Sequence, residues 1–330
     1  MNVHATSHGE RFRHEALFYG DWMEFVAGTV PFIRDGIEAG EPVLVVESPQ
    51  KIDMLRTALG SRADEVLFAS MEEVGANPAR IIPAWQDFVR DHGVGGRRLR
   101  GIGEPIWKGR SADELVECQR HESLLNVAFG DGQPWWLLCP YDTAQLDDEV
   151  LYEAMRSHEY VTDARSNSKP SDVFRGIDAS GAPFDVPLRE LTQGSRRMSF
   201  DAEDLLKVRR AVARFATSAG CSAERATQLV TAVNEAASNS IVHGGGHGAL
   251  RMWRDGDMVI AEIRDGGRYD VPLGDREKPG DRPADPRGLW LANQLCDLVQ
   301  IRTFDDGTAV RLFVRTDPRR RLRVVSGETV

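Results

Sequence analysis

The stretch Glu224–Gly248, ERATQLVTAVNEAASNSIVHGGGHG, decides how the second half of the chain is read. At helical period, Ala226, Leu229, Val230, Val233, Ala237 and Ile241 fall on one apolar stripe. Thr231, Glu235, Asn239 and His243 recur every fourth residue on another side, and residues four apart are neighbours on a helix. A carboxylate, a carboxamide and an imidazole would share that side. Gly244-Gly245-Gly246 then closes the helix, since glycine accepts the backbone conformations that helix ends use. Two readings of the ridge stand side by side: the solvated back of an amphipathic helix, or the lining of a polar site. Asn, Ser and Thr are mediocre helix formers, and a merely solvated face would favour Lys, Glu and Arg.

Working outward, Asp204–Ser218 is a basic amphipathic helix carrying Leu205, Leu206, Val208, Val212 and Phe215, and Ser222 is the expected N-cap of the helix quoted above. Downstream, Gly248–Arg254 and Met258–Arg264 read as strands joined by Asp255-Gly256, a strong hairpin turn signal. The second strand ends in Asp265-Gly266-Gly267. A polar, proline-containing stretch over 268–287 follows, then a helix from Gly288 to Cys296. A last hairpin, Leu298–Phe304 and Thr308–Val314, turns at Asp305-Asp306-Gly307.

The first half alternates helices and short apolar strands. A helix is expected over Ala16–Glu38, a strand at Val43–Val46, a helix at Pro49–Leu59 and a strand at Val66–Ala69. Ile81–Asp91 (helix), Arg98–Ile102 (strand), Ser111–Val127 (helix), Trp135–Cys139 (strand) and Asp147–His158 (helix) continue the pattern. This βαβα period predicts a parallel sheet covered by helices. Ligands of such sheets collect at the carboxyl ends of the strands. Glu47, Glu104 and Tyr141 lie at those ends, and helices are expected to add His14-Glu15 and His121-Glu122. His14, Glu47, Glu104, His121, Glu122 and Tyr141 therefore form a candidate sensory pocket or metal site, against the simpler view that strand ends are polar loops anyway. No Walker-type phosphate loop follows the first strand. Residues 163–196, rich in Ser, Asn, Pro, Gly and Asp, read as a linker in which Phe174 and Phe184 can dock locally.

Bulk properties set the frame. The 330 residues suffice for two domains, and 41% hydrophobic with 28% charged residues is a globular composition. A formal charge of −10 argues against direct nucleic-acid binding as the main task. Arg319-Arg320-Arg321 with Arg323 reads as a solvated tail. No apolar run is long enough for a membrane span, the N-terminus lacks a signal-peptide core, and four cysteines are spaced without a CxxC pair. A cytoplasmic protein with reduced thiols and no membrane association is expected.

The order of motifs in the second half resembles the GHKL (Bergerat) ATPase domain, and more closely the anti-sigma-factor serine kinases of partner-switching systems. AVNEAASNSIVHG resembles their N-box, DGG the first glycine box and RGLWLANQLCD the second, over roughly 200–315. In the first half, HEALFYGDWMEFV, VLVVESP, NPARIIPAW, GIGEPIW, ECQRHESLLNVAF and LLCPYD resemble the MEDS sensory domain, which is related to RecA-like folds. The fold class implied is α/β, with a parallel-sheet, RecA-like sensory domain followed by a two-layer α+β Bergerat sandwich. The implied division is 12–160 sensory domain, 161–197 linker, 198–316 ATP-binding kinase domain and 317–330 tail.

The kinase resemblance implies roles for individual residues. Glu235 would be the general base for a nucleophilic hydroxyl, and Asn239 the Mg²⁺ ligand, with His243 beside it. Asp265 would accept the adenine amino group, with Gly267 giving the base room and Thr308 lining the adenine side. Arg287, Gly288 and Leu289 would meet the phosphates at a helix start. Residues 268–287 would be the nucleotide lid. Two positions depart from the family pattern: Tyr269 stands at the third small position of the first box, and Pro286 replaces a glycine two before Gly288. The resemblance implies ATP and Mg²⁺ as cofactors, and a sigma factor and its antagonist protein as partners. The activity implied is serine phosphorylation of that antagonist, within transcription regulation and stress response. Relatives of the kinase domain commonly dimerise, which makes a homodimer an open option. Two alternatives remain: a binding module that uses ATP without turnover and, more weakly, a sensor histidine kinase, for which no paired-helix segment precedes residue 200.

Overall fold

The computed structural model describes residues 11–130, 132, 134–164, 168–181, 184, 186–189, 194–280 and 287–316. It contains two compact units. One comprises the described residues up to Val186 with Val271–Lys278, and the other Pro187–Asp270 with the described residues from Pro279 onward. Pro286 and the basic cluster at 319–323 lie outside the described residues.

The first unit is built on a strand where a helix was expected. Arg13–Tyr19 (β1) is extended, and the helix starts only at Trp22, running to Glu38 (α1). Gly20-Asp21 makes the break: the Asp21 carboxylate accepts from the Met23 and Glu24 amides, and Glu24 reaches back to the Gly20 amide. Helical periodicity runs through ALFY, but tertiary pairing overrides it, because β1 lies inside a sheet with a parallel neighbour on each side. His14 and Glu15 consequently sit on opposite faces of a strand rather than together on a helix.

The rest of the unit follows the expected alternation, with α2 as expected and no other expected boundary moving by more than three residues. The strands are Val43–Glu47 (β2), Leu67–Ser70 (β3), Leu99–Gly103 (β4), Trp135–Asp142 (β5), Tyr160–Asp163 (β6) and Lys169–Pro170 (β7). The helices are Pro49–Leu59 (α2), Met71–Val74 (α3), Ile81–His92 (α4), Ala112–Phe129 (α5) and Asp148–Ser157 (α6). Ser111 and Glu114 form the capping box that opens α5. The sheet order is β3-β2-β4-β5-β1-β6-β7, parallel except for β6 with β7. The strand β6 ends where the stretch read as linker begins and β7 lies inside it, so polar composition there conceals a short sheet-edge pairing.

Alternation along the strands divides the interior into two cores. Leu17, Val43, Val45, Ile102 and Leu138 meet α1 and α2 through Phe25, Ile33 and Leu55. Ala16, Val46, Leu99, Leu137 and Cys139 meet α4, α5 and α6 through Trp85, Leu124 and Ala154. Tyr19 belongs to the first face and Tyr141 to the second. His14, two residues before Ala16, therefore projects toward α5.

The second unit has an antiparallel sheet in the order β11-β12-β10-β9-β8. Its strands are Arg196–Asp201 (β8), His247–Asp255 (β9), Met258–Asp265 (β10), Leu298–Phe304 (β11) and Gly307–Arg315 (β12). Three helices, Leu205–Ser218 (α7), Ala223–His243 (α8) and Gly288–Leu295 (α9), share one core with it. The contributors are Val212 and Phe215 from α7, Leu229, Val233 and Ala237 from α8, and Ala292 from α9, packed on Leu250, Val259, Ile263, Ile301 and Leu312. The strand β8 was not anticipated; only its Phe200 is buried, so its alternation is weak. Among the described residues, no helix is long and apolar enough to cross a membrane.

Leu229 is completely buried at the centre of this unit. Leu229→Ala is expected to remove about 2–5 kcal/mol from the unfolding free energy of the second unit, read as a lower urea midpoint by circular dichroism.

Candidate functional site

The ridge on α8 is not a solvated back. Thr231, Glu235 and Asn239 are half-buried, and only His243 is exposed. The α8 N-cap is Ser222, as expected, and Gly244 ends the helix. Directly after it the chain approaches Asp265, the last residue of β10. The Asp265 carboxylate accepts from Ser240 Oγ at 2.5 Å and from the Gly267 amide at 2.8 Å. A side chain on Gly244 would overlap this carboxyl group, its Cβ falling 2.4 Å from Asp265 Cγ. One on Gly267 would fall 2.6 Å from the His243 carbonyl oxygen, and one on Gly307 would meet the Asp265 carbonyl at 1.9 Å. Thr308 pairs with Asp265 across the sheet and donates to the Gly267 carbonyl at 2.8 Å. Thr303 brackets Tyr269, accepting from its amide at 3.3 Å and donating to its carbonyl at 2.9 Å.

Glu235 and Asn239 meet at the start of α9. A Cβ on Gly288 would lie 2.9 Å from Glu235 Oε2 and 3.5 Å from Asn239 Nδ2, so the missing side chain keeps both groups open to the helix N-terminus. The first amides of α9 have no partner within the helix, as at every helix start. Leu289 is a core residue, which leaves only its backbone to a ligand. Arg287 is exposed, and its guanidinium donates to the Gly280 carbonyl at 3.0 Å. His243 contributes its backbone carbonyl to the packing around Gly267, whereas its side chain points to solvent.

The six residues expected to form a sensory pocket separate into two groups. Glu47 and Glu104 line a cavity of about 260 Å³ at the carboxyl ends of the parallel strands, with Tyr19, Lys51, Trp107 and Asp142. Lys51 donates to the Tyr19 hydroxyl at 2.6 Å and pairs closely with Glu104, which also accepts from Tyr19 at 3.0 Å. The Lys51 ammonium is 4.0 Å from Glu47. Burial, then the Glu104 charge, push the Glu47 carboxyl well above its ordinary range. Burial raises Glu104 too, against the opposing pull of Lys51. Burial and the neighbouring carboxylates also raise the Tyr19 phenol.

The second group lies on the α5 side of the sheet and does not line that cavity. His14 Nε2 is 3.1 Å from Glu122 Oε2 and 3.4 Å from Cys139 Sγ. His158 Nε2 is 3.3 Å from the same Glu122 oxygen, and the two imidazole rings are 3.9 Å apart. The Tyr141 and His158 rings stand nearly perpendicular with their centroids 5.6 Å apart. His121 is buried beside Glu122 on α5, and burial pushes its pKa down to about 3.

Several participants escaped the sequence reading. Ser240 follows Asn239 by one residue, off the four-residue ridge; its signal was a lone hydroxyl in line with the apolar stripe. Lys51, in the first turn of α2, follows Glu47 at the end of β2 by four residues, and the strand-to-helix turn brings the two side chains together. Cys139 and His158 carried no local motif, since only the sheet and α6 bring them to His14.

An antiparallel five-stranded sheet under three helices, with a carboxylate and a carboxamide at a glycine-started helix, defines the class of histidine kinase-like ATPase folds. Residues 198–314 match the family model described as histidine kinase-like ATPase domain, and residues 13–159 match the MEDS model, described as methanogen/methylotroph, DcmR sensory domain. The chain thus joins a MEDS domain to a histidine kinase-like ATPase domain. Among solved structures, the RsbU and RsbW domains of Rv1364c from Mycobacterium tuberculosis align at 18% identity and a TM-score of 0.31. That alignment covers 38% of this chain and 34% of the other, so this chain spans about a third of its length. A comparison with curated proteins finds no match.

The raised Glu47 carboxyl makes a pH prediction. A group that holds its proton more tightly when folded stabilises the fold below its unfolded pKa, and that contribution is lost as pH rises through the folded value. The groups facing it are Lys51 from α2, Glu104 after β4, Tyr19 from β1 and Asp142 from β5. Glu47→Gln, an uncharged mimic of the acid, is expected to raise the melting temperature relative to wild type more at pH 8 than at pH 5. An equal effect at both pH values would contradict it.

Proposed function

We propose that this chain is an ATP-binding regulatory protein of a partner-switching system, in which the MEDS domain controls a serine kinase-like domain. In this reading the second unit sequesters a sigma factor and phosphorylates its antagonist protein on serine. The observation that supports it most is the meeting of Glu235 and Asn239 at Gly288, in one unit with the Asp265–Ser240–Gly267 cluster. A carboxylate, a carboxamide and free helix amides suit a metal-bound triphosphate, and two carboxylate hydrogen bonds leave Asp265 further lone-pair positions for an exocyclic amine.

The residues fit Mg-ATP by this donor chemistry: Mg²⁺ takes oxygen ligands and keeps several waters, so the single Asn239 carboxamide oxygen would suffice beside phosphates. Bound Mg-ATP would supply the phosphoryl group and neutralise charge on its oxygens. Glu235 would accept the proton of the attacking serine hydroxyl. The Gly288 and Leu289 amides would hold phosphate oxygens, Asp265 would orient the adenine, and Gly267 and Thr308 would shape the space around it. The cavity containing Glu47 and Glu104 would receive the controlling small molecule.

A second reading, an ATP-ordered binding module without turnover, draws support from Tyr269. Its half-buried ring packs against the core of the unit at a position where the resembled kinases carry a small residue. Nucleotide binding by calorimetry and phosphate transfer from labelled Mg-ATP to candidate antagonist proteins separate the two. Glu235→Ala is expected to retain nucleotide and lose transfer by about a hundredfold or more, while Asn239→Ala loses Mg²⁺-dependent binding. Tight binding by wild type with no transfer to any antagonist would select the binding module; no nucleotide binding would reject both.

A further inference from the structure

The interior of the first unit contains a convergence of ligating atoms that neither the nucleotide site nor the cavity uses. His14 enters from β1, Glu122 from α5, Cys139 from β5 and His158 just after α6, and all four side chains are buried. One ligating atom from each lies within 4.8 Å of all the others. These segments are far apart in sequence, so the grouping is a product of the fold.

The tautomers can be read from the outer hydrogen bonds. Asn126 donates through Nδ2 to the Ser157 carbonyl at 2.7 Å, which fixes its amide and turns Oδ1 toward His14 Nδ1 at 3.1 Å. An amide oxygen only accepts, so His14 Nδ1 carries a proton. His158 Nδ1 is 2.8 Å from the Ala154 carbonyl and must also be the protonated nitrogen. In neutral rings, both Nε2 atoms then present bare lone pairs. They converge on one carboxylate oxygen, Glu122 Oε2, at 3.1 and 3.3 Å. Glu122 Oε1 and His158 Nε2 find no hydrogen-bond partner among the described residues. The Cys139 thiol, 3.4 Å from His14 Nε2, can donate to that one nitrogen, but the lone pairs of His158 Nε2 and the Glu122 carboxylate still face each other in a dry interior and repel unless a cation stands between them.

We propose that His14, Glu122, Cys139 and His158 form a four-ligand site for a divalent transition-metal ion, zinc in the first instance. Two imidazoles, a thiol and a carboxylate are a donor set for this class of ion rather than for Mg²⁺ or Ca²⁺. Ordinary zinc bond lengths place nitrogen and oxygen ligands of a tetrahedron about 3.3 Å apart, and sulfur about 3.6 Å from nitrogen. The spacings of 3.1, 3.3 and 3.4 Å come close to those edges before any adjustment. Binding releases the Cys139 thiol proton to solvent and leaves both rings neutral. One divalent ion, one thiolate and one carboxylate then sum to zero charge, which a buried site requires. Asn126 and the Ala154 carbonyl are the outer partners that hold the two imidazoles in orientation. With four protein ligands and no ligand drawn from the cavity wall, the site is of the closed, structural kind.

The test uses the full chain without a histidine tag and without nucleotide. Metal content is measured on purified protein, and chelator-stripped protein is titrated with Co²⁺ in the spectrophotometer. One equivalent is expected to produce tetrahedral d–d bands with a thiolate-to-cobalt charge-transfer band. Cys139→Ser should lose the charge-transfer band, and Asn126→Ala should weaken Co²⁺ binding by about ten- to a hundredfold. Thermal melting of wild type with and without chelator needs no variant, and should show a loss of stability on stripping. Stripped protein that gives no d–d bands with Co²⁺ and melts unchanged would overturn the site, as would a cobalt spectrum that Cys139→Ser leaves intact.

Discussion

The carboxylate of Asp265 pins the helical layer of the second unit to its sheet. It ends β10, takes the Ser240 hydroxyl of α8 on one oxygen and folds the following Gly266-Gly267 turn back onto the other. This works only because Gly244, Gly267 and Gly307 present no side chains: a Cβ at any of them would fall within 2.6 Å of a neighbouring atom. The end of α8, the end of β10 and the start of β12 can therefore approach a single group. The geometry around Glu235, Asn239 and Gly288 depends on the same placement, since α8 carries both side chains and cannot shift without losing its hold on Asp265.

In the first unit the corresponding constraint is strand alternation. Residues one apart on β1 face different cores, so His14 joins the α5 side while Tyr19 joins the α1 and α2 side. The two polar groups are thereby kept on separate faces although both begin from the same strand. One is a cavity wall built from Glu47, Lys51, Glu104 and Tyr19 at the strand ends, and the other is a packed cluster with no share in that cavity.

Much of this was legible in the residues. Periodicity located α8, the Asp-Gly turns located hairpins, and the order of Glu235, Asn239, Asp265, Gly288 and Thr308 pointed to the ATPase fold. The failures have physical causes. Ala16–Tyr19 satisfies helical and extended patterns alike, and only pairing with β5 and β6 decides between them. Ser240 was hidden because its partner lies 25 residues away in the sheet. His14, Cys139 and His158 share no motif; crossovers of the parallel sheet bring them together, and local spacing is silent about crossovers. Leu289 and His243 sit where the motif suggests, yet the structure turns one side chain into the core and the other to solvent.

The cavity wall of the first unit also has an ionic balance. Two buried carboxyl groups, Glu47 and Glu104, face one ammonium, Lys51, and both carboxyl groups are shifted toward the protonated form. Burial and the proximity of the two acids favour a protonated carboxyl over a second bare carboxylate beside that single ammonium. A guest bringing a positive charge would favour the ionised carboxyl groups and the release of a proton, whereas an uncharged guest would not. Uptake of a cation would then change the proton count of the cavity wall, and its heat would vary with the ionisation enthalpy of the buffer, which uptake of an uncharged molecule would not do.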